Sequence, residues 1–215
     1  MPAPRRAVRD RWALKKWYPV YASSAFGYAE IGEIPANSER SLIGRTMEVR
    51  LYQITGDFTQ AHIKLKFQIV KVIDRKAFTQ FKGFELARDY LRSLVRRGTT
   101  KVDGIFDVET KDGVKLRVAV MVITQHRIKT SQEKLIRKLA KGVIENRARM
   151  LAFDEFIQEA VLGKIASEVY NKARKVYPLR KVEVRKIKVL TRTFEIPLKL
   201  PVEIQASLSK KSVTV

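Results

Sequence analysis

Four acidic residues lie close together in the middle of the chain and are the strongest candidates for catalysis. Asp103, Asp107, Glu109 and Asp112 fall within residues 103–112, and a two-metal nuclease gathers carboxylates in this way. However, Asp103 precedes a glycine, and Asp112 lies in Lys111-Asp112-Gly113, where aspartate favours a tight turn for backbone reasons. The sequence has neither a Gly-rich phosphate loop nor a His-Glu-x-x-His motif. We therefore predict no catalytic residue, no metal site and no cofactor.

Other residue types that commonly do chemistry are scarce. The chain has two histidines and no cysteine, which excludes thiol nucleophiles, disulfides and thiolate zinc sites. His62 falls on the polar face of a predicted strand and His126 follows the end of another, so we expect both to be solvated or to face RNA. The sequence contains no membrane-spanning apolar run and no signal-peptide pattern. We expect an intracellular protein.

Positive charge dominates the composition. The 215 residues include 44 Lys and Arg against 22 Asp and Glu, a formal net charge of +22, which favours a polyanionic partner. The excess is concentrated where acids are scarce, in an arm over 1–16, a helix face within 134–149 and a strand region over 172–192. Cations there are predicted to displace counterions from RNA phosphates, and arginine adds bidentate hydrogen bonds. With Trp12 as an exposed aromatic, the predicted RNA-binding residues are Arg5, Arg6, Arg9, Arg11, Trp12, Lys15, Lys16, Arg92, Arg96, Arg97, Lys134, Arg137, Lys138, Lys141, Arg147, Arg149, Arg180, Lys181, Arg185, Lys186, Lys188 and Arg192.

The hydrophobic pattern predicts an α+β fold that holds these residues, with a curved, mostly antiparallel sheet or barrel flanked by about three helices. Apolar residues alternate with polar ones in the strand segments, and a swap of the apolar face at 70–72 indicates a bulge. Trp17, Tyr18 and Val20 are interpreted as the start of a core strand. The predicted strands lie near 47–51, 62–72, 102–109, 114–124 and 182–189, and the predicted hairpin turn is Lys111-Asp112-Gly113.

Helical spacing of apolar residues predicts three helices. The first covers 84–97 and ends at Arg97-Gly98. The second begins at the capping-box sequence Thr130-Ser131-Gln132-Glu133 and runs to about Met150, with Gly142 as a candidate break. The third follows Asp154 and ends before Tyr177-Pro178, and residues 23–44 are interpreted as a loop. We expect one domain over 17–193, preceded by a basic arm over 1–16 and followed by an extended tail over 194–215.

Several stretches, taken in order, resemble one protein family over roughly residues 12–195. They are Lys16-Trp17-Tyr18, Thr55-Gly56-Asp57-Phe58 with His62-Ile63-Lys64-Leu65-Lys66-Phe67, Leu86-Ala87-Arg88-Asp89-Tyr90-Leu91-Arg92 continuing to Gly98, Thr130-Ser131-Gln132 with Ile136-Arg137-Lys138, and Tyr177-Pro178-Leu179 with Val184-Arg185-Lys186-Ile187-Lys188. These stretches resemble the archaeal and eukaryotic small-subunit ribosomal protein family S-three-A-e, also called e-S-one. The chain is similar to archaeal members because it lacks the long acidic extension typical of eukaryotic ones.

The resemblance implies a structural constituent of the small ribosomal subunit in the cytoplasm. It implies binding to small-subunit ribosomal RNA on the platform, near the 3′ end of that RNA and the messenger exit. Neighbouring small-subunit ribosomal proteins are implied partners, with no membrane and no small-molecule substrate. The residues by themselves leave open a free-standing basic RNA-processing enzyme or translation factor, and also a DNA-compacting protein.

Overall fold

A computed structural model describes residue 12, residues 15–193 and residues 196–197, and these contain eight strands and five helices. The predicted α+β class is confirmed, with two helices more than expected. The strands are β1 Lys16–Tyr21, β2 Glu30–Ala36, β3 Thr46–Arg50, β4 Ile63–Ile73, β5 Lys76–Leu86, β6 Lys101–Glu109, β7 Lys115–Thr124 and β8 Leu179–Val189. The helices are α1 Tyr52–Thr55, α2 Arg88–Leu94, α3 Thr130–Met150, α4 Phe153–Val161 and α5 Lys164–Ala173.

The eight strands form one open sheet that branches at β5. β4 pairs along one edge of β5, while β1 and β8 share its other edge, at Ala77–Phe78 and Gly83–Glu85 respectively. β7 and β6 continue the sheet beyond β8, and β2 and β3 are outer strands beside β1 and β4. All pairings are antiparallel except that of β1 with β5, so the expected mostly antiparallel sheet is confirmed.

The main core lies between one face of this sheet and helices α3, α4 and α5. Alternate residues of the strands point into it, such as Leu65 and Phe67 in β4 and Val118 and Val120 in β7, and all four are at most 2% exposed. The opposite face of β3, β4, β5 and the end of β8 carries mostly charged residues and is called the outer face below. The alternation thus separates a hydrophobic face from a charged one.

Bulges change which residues of β4 and β8 point outward. The register of β4 shifts between Ile69 and Lys71, which confirms the bulge that the swap of the apolar face predicts. In β8, Arg180 and Arg185 have no Cα partner in the otherwise continuous pairing with β7. Both arginines are half-buried and each precedes an exposed lysine. Each bulge therefore adds a basic residue to the polar side of the strand while Val182, Val184 and Ile187 stay buried.

Two predicted elements are wrong because strand pairing overrides local spacing. The helix expected over 84–97 is confined to Arg88–Leu94, since Phe84 and Leu86 pair with β4 as the end of β5, and the glycine turn at Gly98 follows the helix rather than capping it. The loop expected over 23–44 contains β2, whose Gly32 and Pro35 conceal an outer strand that pairs with β1. Trp17 is 57% exposed, whereas Tyr18 and Val20 are buried as expected.

The remaining differences concern helix ends. α3 begins at Thr130 as expected, but the Gln132 side chain accepts a hydrogen bond from the Lys129 N–H, so the capping pair lies one residue earlier than the sequence indicates. Gly142 does not break α3, because buried residues on either side of it keep the helix packed against β6 and α5. The single helix expected after Asp154 is two helices, since Gly163 has φ +78° and a left-handed residue cannot continue an α-helix.

Candidate nucleic-acid interface

The outer face of the sheet carries a row of ion pairs that reduces its positive charge. Lys66 Nζ lies 2.6 Å from Glu48 Oε1, and Lys186 Nζ lies 3.1 Å from Glu85 Oε2. The hydrogen bond from Lys66 lowers the pKa of the Glu48 carboxyl, so this carboxylate stays charged and paired at neutral pH. Lys181 is paired with Glu183 at 3.2 Å. Two of the lysines predicted to bind RNA, Lys181 and Lys186, are therefore already partnered within the protein.

A segment of arginines at and after α2 is different, because it carries unpaired positive charge. Arg88, Arg92, Arg96 and Arg97 are all exposed, and within the described chain none of them forms an ion pair. Asp89 is the one acid among residues 87–100. The arginine side chains are solvent-exposed, whereas other side chains of α2 are half-buried and pack against the main core. These four arginines are called the α2 arginines below. The planar guanidinium of an arginine can donate two parallel hydrogen bonds to a phosphate.

The basic face of α3 is divided between paired and unpaired cations. Arg137 Nη2 lies 3.1 Å from Glu133 Oε2, and Arg137 Nε also donates to the carbonyl of Asp103 in β6. Lys141 pairs with Glu145, and Arg147 pairs with Glu168 of α5 and Glu159 of α4. Among described residues, Lys134, Lys138 and Arg149 have no acidic partner and are exposed.

The structure places Arg88 and two lysines of β8 on the outer face, whereas the cations of α3 lie on the other side of the sheet. Arg88 of α2 and Lys64 of β4 line a single cavity on the outer face, and Lys186 and Lys188 of β8 lie on the same face. α3 covers the other face of the sheet. Of the other predicted residues, Arg185 and Arg192 have no described acidic partner, and Lys15 Nζ lies 3.8 Å above the Trp12 ring, which is 59% exposed. Lys16 is exposed, whereas Arg5, Arg6, Arg9 and Arg11 lie outside the described residues.

Three of the four acids near the hairpin have structural partners. Asp107 receives two hydrogen bonds from Arg117, at 2.7 and 2.8 Å, which lower the pKa of its carboxyl. Asp103 pairs with Lys101 at 2.9 Å, and Asp112 accepts a hydrogen bond of 2.8 Å from the Phe153 N–H at the start of α4. Within the part of the chain that the structure describes, no group of three or more His, Asp or Glu side chains is arranged to hold a metal ion.

Sequence reasoning did not single out an aromatic pair whose histidine lines two cavities. The rings of His62 and Tyr90 stack with centroids 3.9 Å apart, and His62 lines both a cavity of about 660 Å³ on the outer face and one of about 540 Å³ beside α5. Burial, and then the carboxylate of Glu183, raise the pKa of the Tyr90 hydroxyl to about 12. The hydroxyl donates to Glu183 Oε1 at 3.3 Å.

The sequence contained a partial signal for this pair. His62 and Lys64 alternate with buried Ile63 and Leu65, which predicts a shared polar face. The sequence contained no such signal for Tyr90, because it lies in a predicted helix whose position relative to β4 could not be predicted from local spacing. The contact depends on β5 ending at Leu86, where the Ala87 N–H donates to the carbonyl of His62 and holds the start of α2 beside β4.

The combination of a branched α+β sheet, unpaired arginines and a strong positive charge defines a basic protein suited to a nucleic-acid partner, and sequence comparison places it among ribosomal proteins. The model of the Ribosomal S3Ae family matches residues 3–193. The chain is 52% identical over 191 residues to small ribosomal subunit protein eS1 of Staphylothermus marinus, covering 88% of this chain and 90% of the relative. It is 42% identical over 207 residues to the protein of that name from Saccharolobus solfataricus, covering 96% and 98%.

The chain belongs to the Ribosomal S3Ae family, as the resemblance of its sequence stretches predicts. A third archaeal relative, small ribosomal subunit protein eS1 of Aeropyrum pernix, is 48% identical over 190 residues and supports the same assignment, with 86% of this chain and 89% of the relative covered. Members of this family are structural components of the ribosome, so the chain is not an enzyme. None of the described helices combines the length and the apolar character needed to cross a bilayer.

Proposed function

We propose that this protein is a structural constituent of the small ribosomal subunit that binds small-subunit ribosomal RNA in the cytoplasm. Its relatives are named small ribosomal subunit protein eS1, and the similarity extends over nearly their whole length. Both facts support the role in the subunit. The proposed position is the platform, near the 3′ end of the RNA and the messenger exit, with neighbouring ribosomal proteins as further partners. That position rests on the family resemblance.

The observation that carries the RNA-binding proposal is the unpaired charge of the α2 arginines. An ion pair on the protein surface must be broken or shared before its cation neutralises a phosphate, whereas an unpaired arginine has no such cost. The α2 arginines follow one another over Arg88–Arg97 with a single acid between them. Folded ribosomal RNA offers phosphates and 2′-hydroxyls rather than a readable major groove, and arginine forks suit both.

The two basic surfaces are expected to contact different RNA segments. Lys134 and Lys138 lie on the helical side, whereas Arg88 and Lys188 border the outer face, and the buried core separates the two sides. A protein with cations on opposite sides holds two phosphate backbones apart at a fixed distance, which is the role of a structural subunit. The arm over 1–16 and the tail over 194–215 remain proposed extensions of the domain at 17–193, and the arm adds the arginines predicted to bind RNA.

Sedimentation tests the proposed role in the subunit. A lysate is layered on sucrose gradients at low salt and at ~0.5 M salt, and this chain is followed by immunoblot. Co-migration with small subunits at both salt concentrations is expected, since loosely held polycation binding falls by orders of magnitude over that range. A chain that stays at the top of the gradient at low salt would refute the proposal.

Substitution of the α2 arginines tests the RNA contact. Replacing Arg88, Arg92, Arg96 and Arg97 with glutamine should reduce the slope of log affinity against log salt by about 3, because each phosphate that is no longer neutralised removes ~0.7–0.9 from it. The matched control replaces four exposed cations with no described ion pair, Arg40, Lys71, Lys111 and Lys164, and changes the net charge equally. The control should alter the slope by less than about 1. Equal decreases in both variants would mean that total charge, not this surface, governs binding.

A further inference from the structure

We propose that the outer-face cavity beside His62 and Tyr90 binds one unstacked nucleotide of single-stranded RNA, with the base against the aromatic pair and its phosphates at the cations of the rim. This inference rests on the proposed function, because it names the form of RNA that one surface accepts. The volume of about 660 Å³ falls in the ~300–1,000 Å³ range of small-ligand sites. A nucleotide fits such a volume, whereas an intact duplex is too wide to enter it.

The aromatic pair supplies a stacking surface with a fixed orientation. His62 and Tyr90 are inclined by 27° to each other at a centroid distance of 3.9 Å, so each ring restricts the rotation of the other. The Tyr90 hydroxyl is held by Glu183 at 3.3 Å, which leaves the ring rather than the hydroxyl to meet a ligand. Base–aromatic stacking tolerates any base because every base has a π-face, so this site is expected to select single strands without reading sequence.

The charges around the cavity are arranged so that the cations at the rim remain available. Glu48 and Glu85 line the cavity, but both are engaged by Lys66, and Glu85 also by Lys186. Arg50, Lys64 and Arg88 line it without an ion pair in the described chain, and Asp89 is the remaining acid. Three unpaired cations against one carboxylate leave a net attraction for the phosphates on either side of an inserted base.

His62 also lines the second cavity, of about 540 Å³. It is lined by Arg180 and Lys181 at the first bulge of β8 and by Tyr170 and Asn171 of α5. Because His62 lines both cavities, a strand bound in the first can extend towards the second. Arg180 is the cation available there, since Lys181 is paired with Glu183, which also lines this cavity. Electrostatic tracking of the backbone combined with stacking of a base is the usual physical basis of single-strand binding.

The test uses the full chain and a short single-stranded RNA with one 2-aminopurine, whose fluorescence is quenched when it stacks. Binding should quench this signal. His62→Ala and Tyr90→Leu should each weaken binding by about 5- to 150-fold, the range for removal of one base–aromatic stack, and should reduce the quenching. Tyr90→Phe keeps the ring and should retain both. Trp17→Leu removes an exposed aromatic residue outside the cavity and should change neither, and circular dichroism confirms that each variant is folded.

A duplex of the same sequence separates this site from general charge attraction. Duplex affinity should be unchanged in His62→Ala and Tyr90→Leu, since neither variant alters the arginines or lysines. If wild-type protein binds RNA but the variants quench like wild type, or lose duplex and single-strand affinity equally, the nucleotide site is refuted while the ribosomal role stands. Failure of the wild type to bind the single strand would also refute the nucleotide site. The proposed function is refuted separately, by a chain that does not sediment with small subunits at low salt.

Discussion

Replacement of Gly83 by alanine tests the branch point of the sheet, where β5 leaves room for β8. Gly83 lies opposite Lys188, and a Cβ at this position would lie 2.5 Å from the carbonyl oxygen of Ile187. That oxygen belongs to the backbone of β8, so no side-chain rotation can relieve the contact. The two strands would have to separate where they are joined by only three residue pairs.

The expected cost follows from this geometry. Overpacking that forces a backbone shift costs about 1–3 kcal/mol, and each backbone hydrogen bond weakened by the separation adds about 0.5–1.5 kcal/mol. A loss of about 2–4 kcal/mol is therefore expected. At about 2–4 °C for each kcal/mol in a protein of this size, the Tm should fall by about 4–16 °C.

Thermal unfolding followed by circular dichroism, together with urea unfolding, measures this loss. The control is Gly142→Ala in α3, where a new Cβ meets no atom within 4 Å. Alanine is the better helix former by about 0.5–1 kcal/mol, so this control should raise the Tm by about 1–4 °C. A Gly83→Ala variant within about 0.5 kcal/mol of wild type would show that β5 and β8 are not closely paired at Gly83, and the branch at β5 would be wrong.

Three further predictions concern the helices. Hydrogen bonding by Arg147 lowers the pKa of the Glu168 carboxyl from its ordinary value of 4.5. The ion pair therefore stabilises the folded protein fully above that pH, and this stabilisation is lost as the pH falls through the lowered pKa. Unfolding free energy should therefore drop more steeply below pH 4.5 in wild type than in Glu168→Gln, and equal slopes would contradict this. Asp112→Ala should lower the free energy of unfolding by about 1 kcal/mol, because it removes the acceptor for the Phe153 N–H. Mg²⁺ should leave the wild-type Tm unchanged, and a rise in Tm with magnesium would indicate that the acids at 103–112 bind a metal ion. Gly163→Ala should lower the free energy of unfolding by about 1–2 kcal/mol, because the φ of Gly163 is +78°. Calorimetry tests this, and an unaltered Tm would contradict it.

Local patterns predicted the elements whose periodicity and turn chemistry agree. The hairpin of β6 and β7 closes at Gly113, with φ +75°, as Lys111-Asp112-Gly113 indicates. The bulge in β4 follows from the swap of its apolar face, and α3 from its apolar stripe. The end of β5 could not be predicted in this way, because its strand character depends on pairing with β4 and β8. β2 was missed because its glycine and proline are typical of a loop.

The sequence by itself determined the charge, the α+β class and the family, since each depends on residue type, short-range spacing or order along the chain. Only the tertiary structure decided which cations of the described residues remain outside ion pairs. Lys186 is paired with Glu85 across 101 residues, and the Tyr90 hydroxyl reaches Glu183 across 93. Such contacts depend on strand register and on where a helix begins, which a local pattern does not specify.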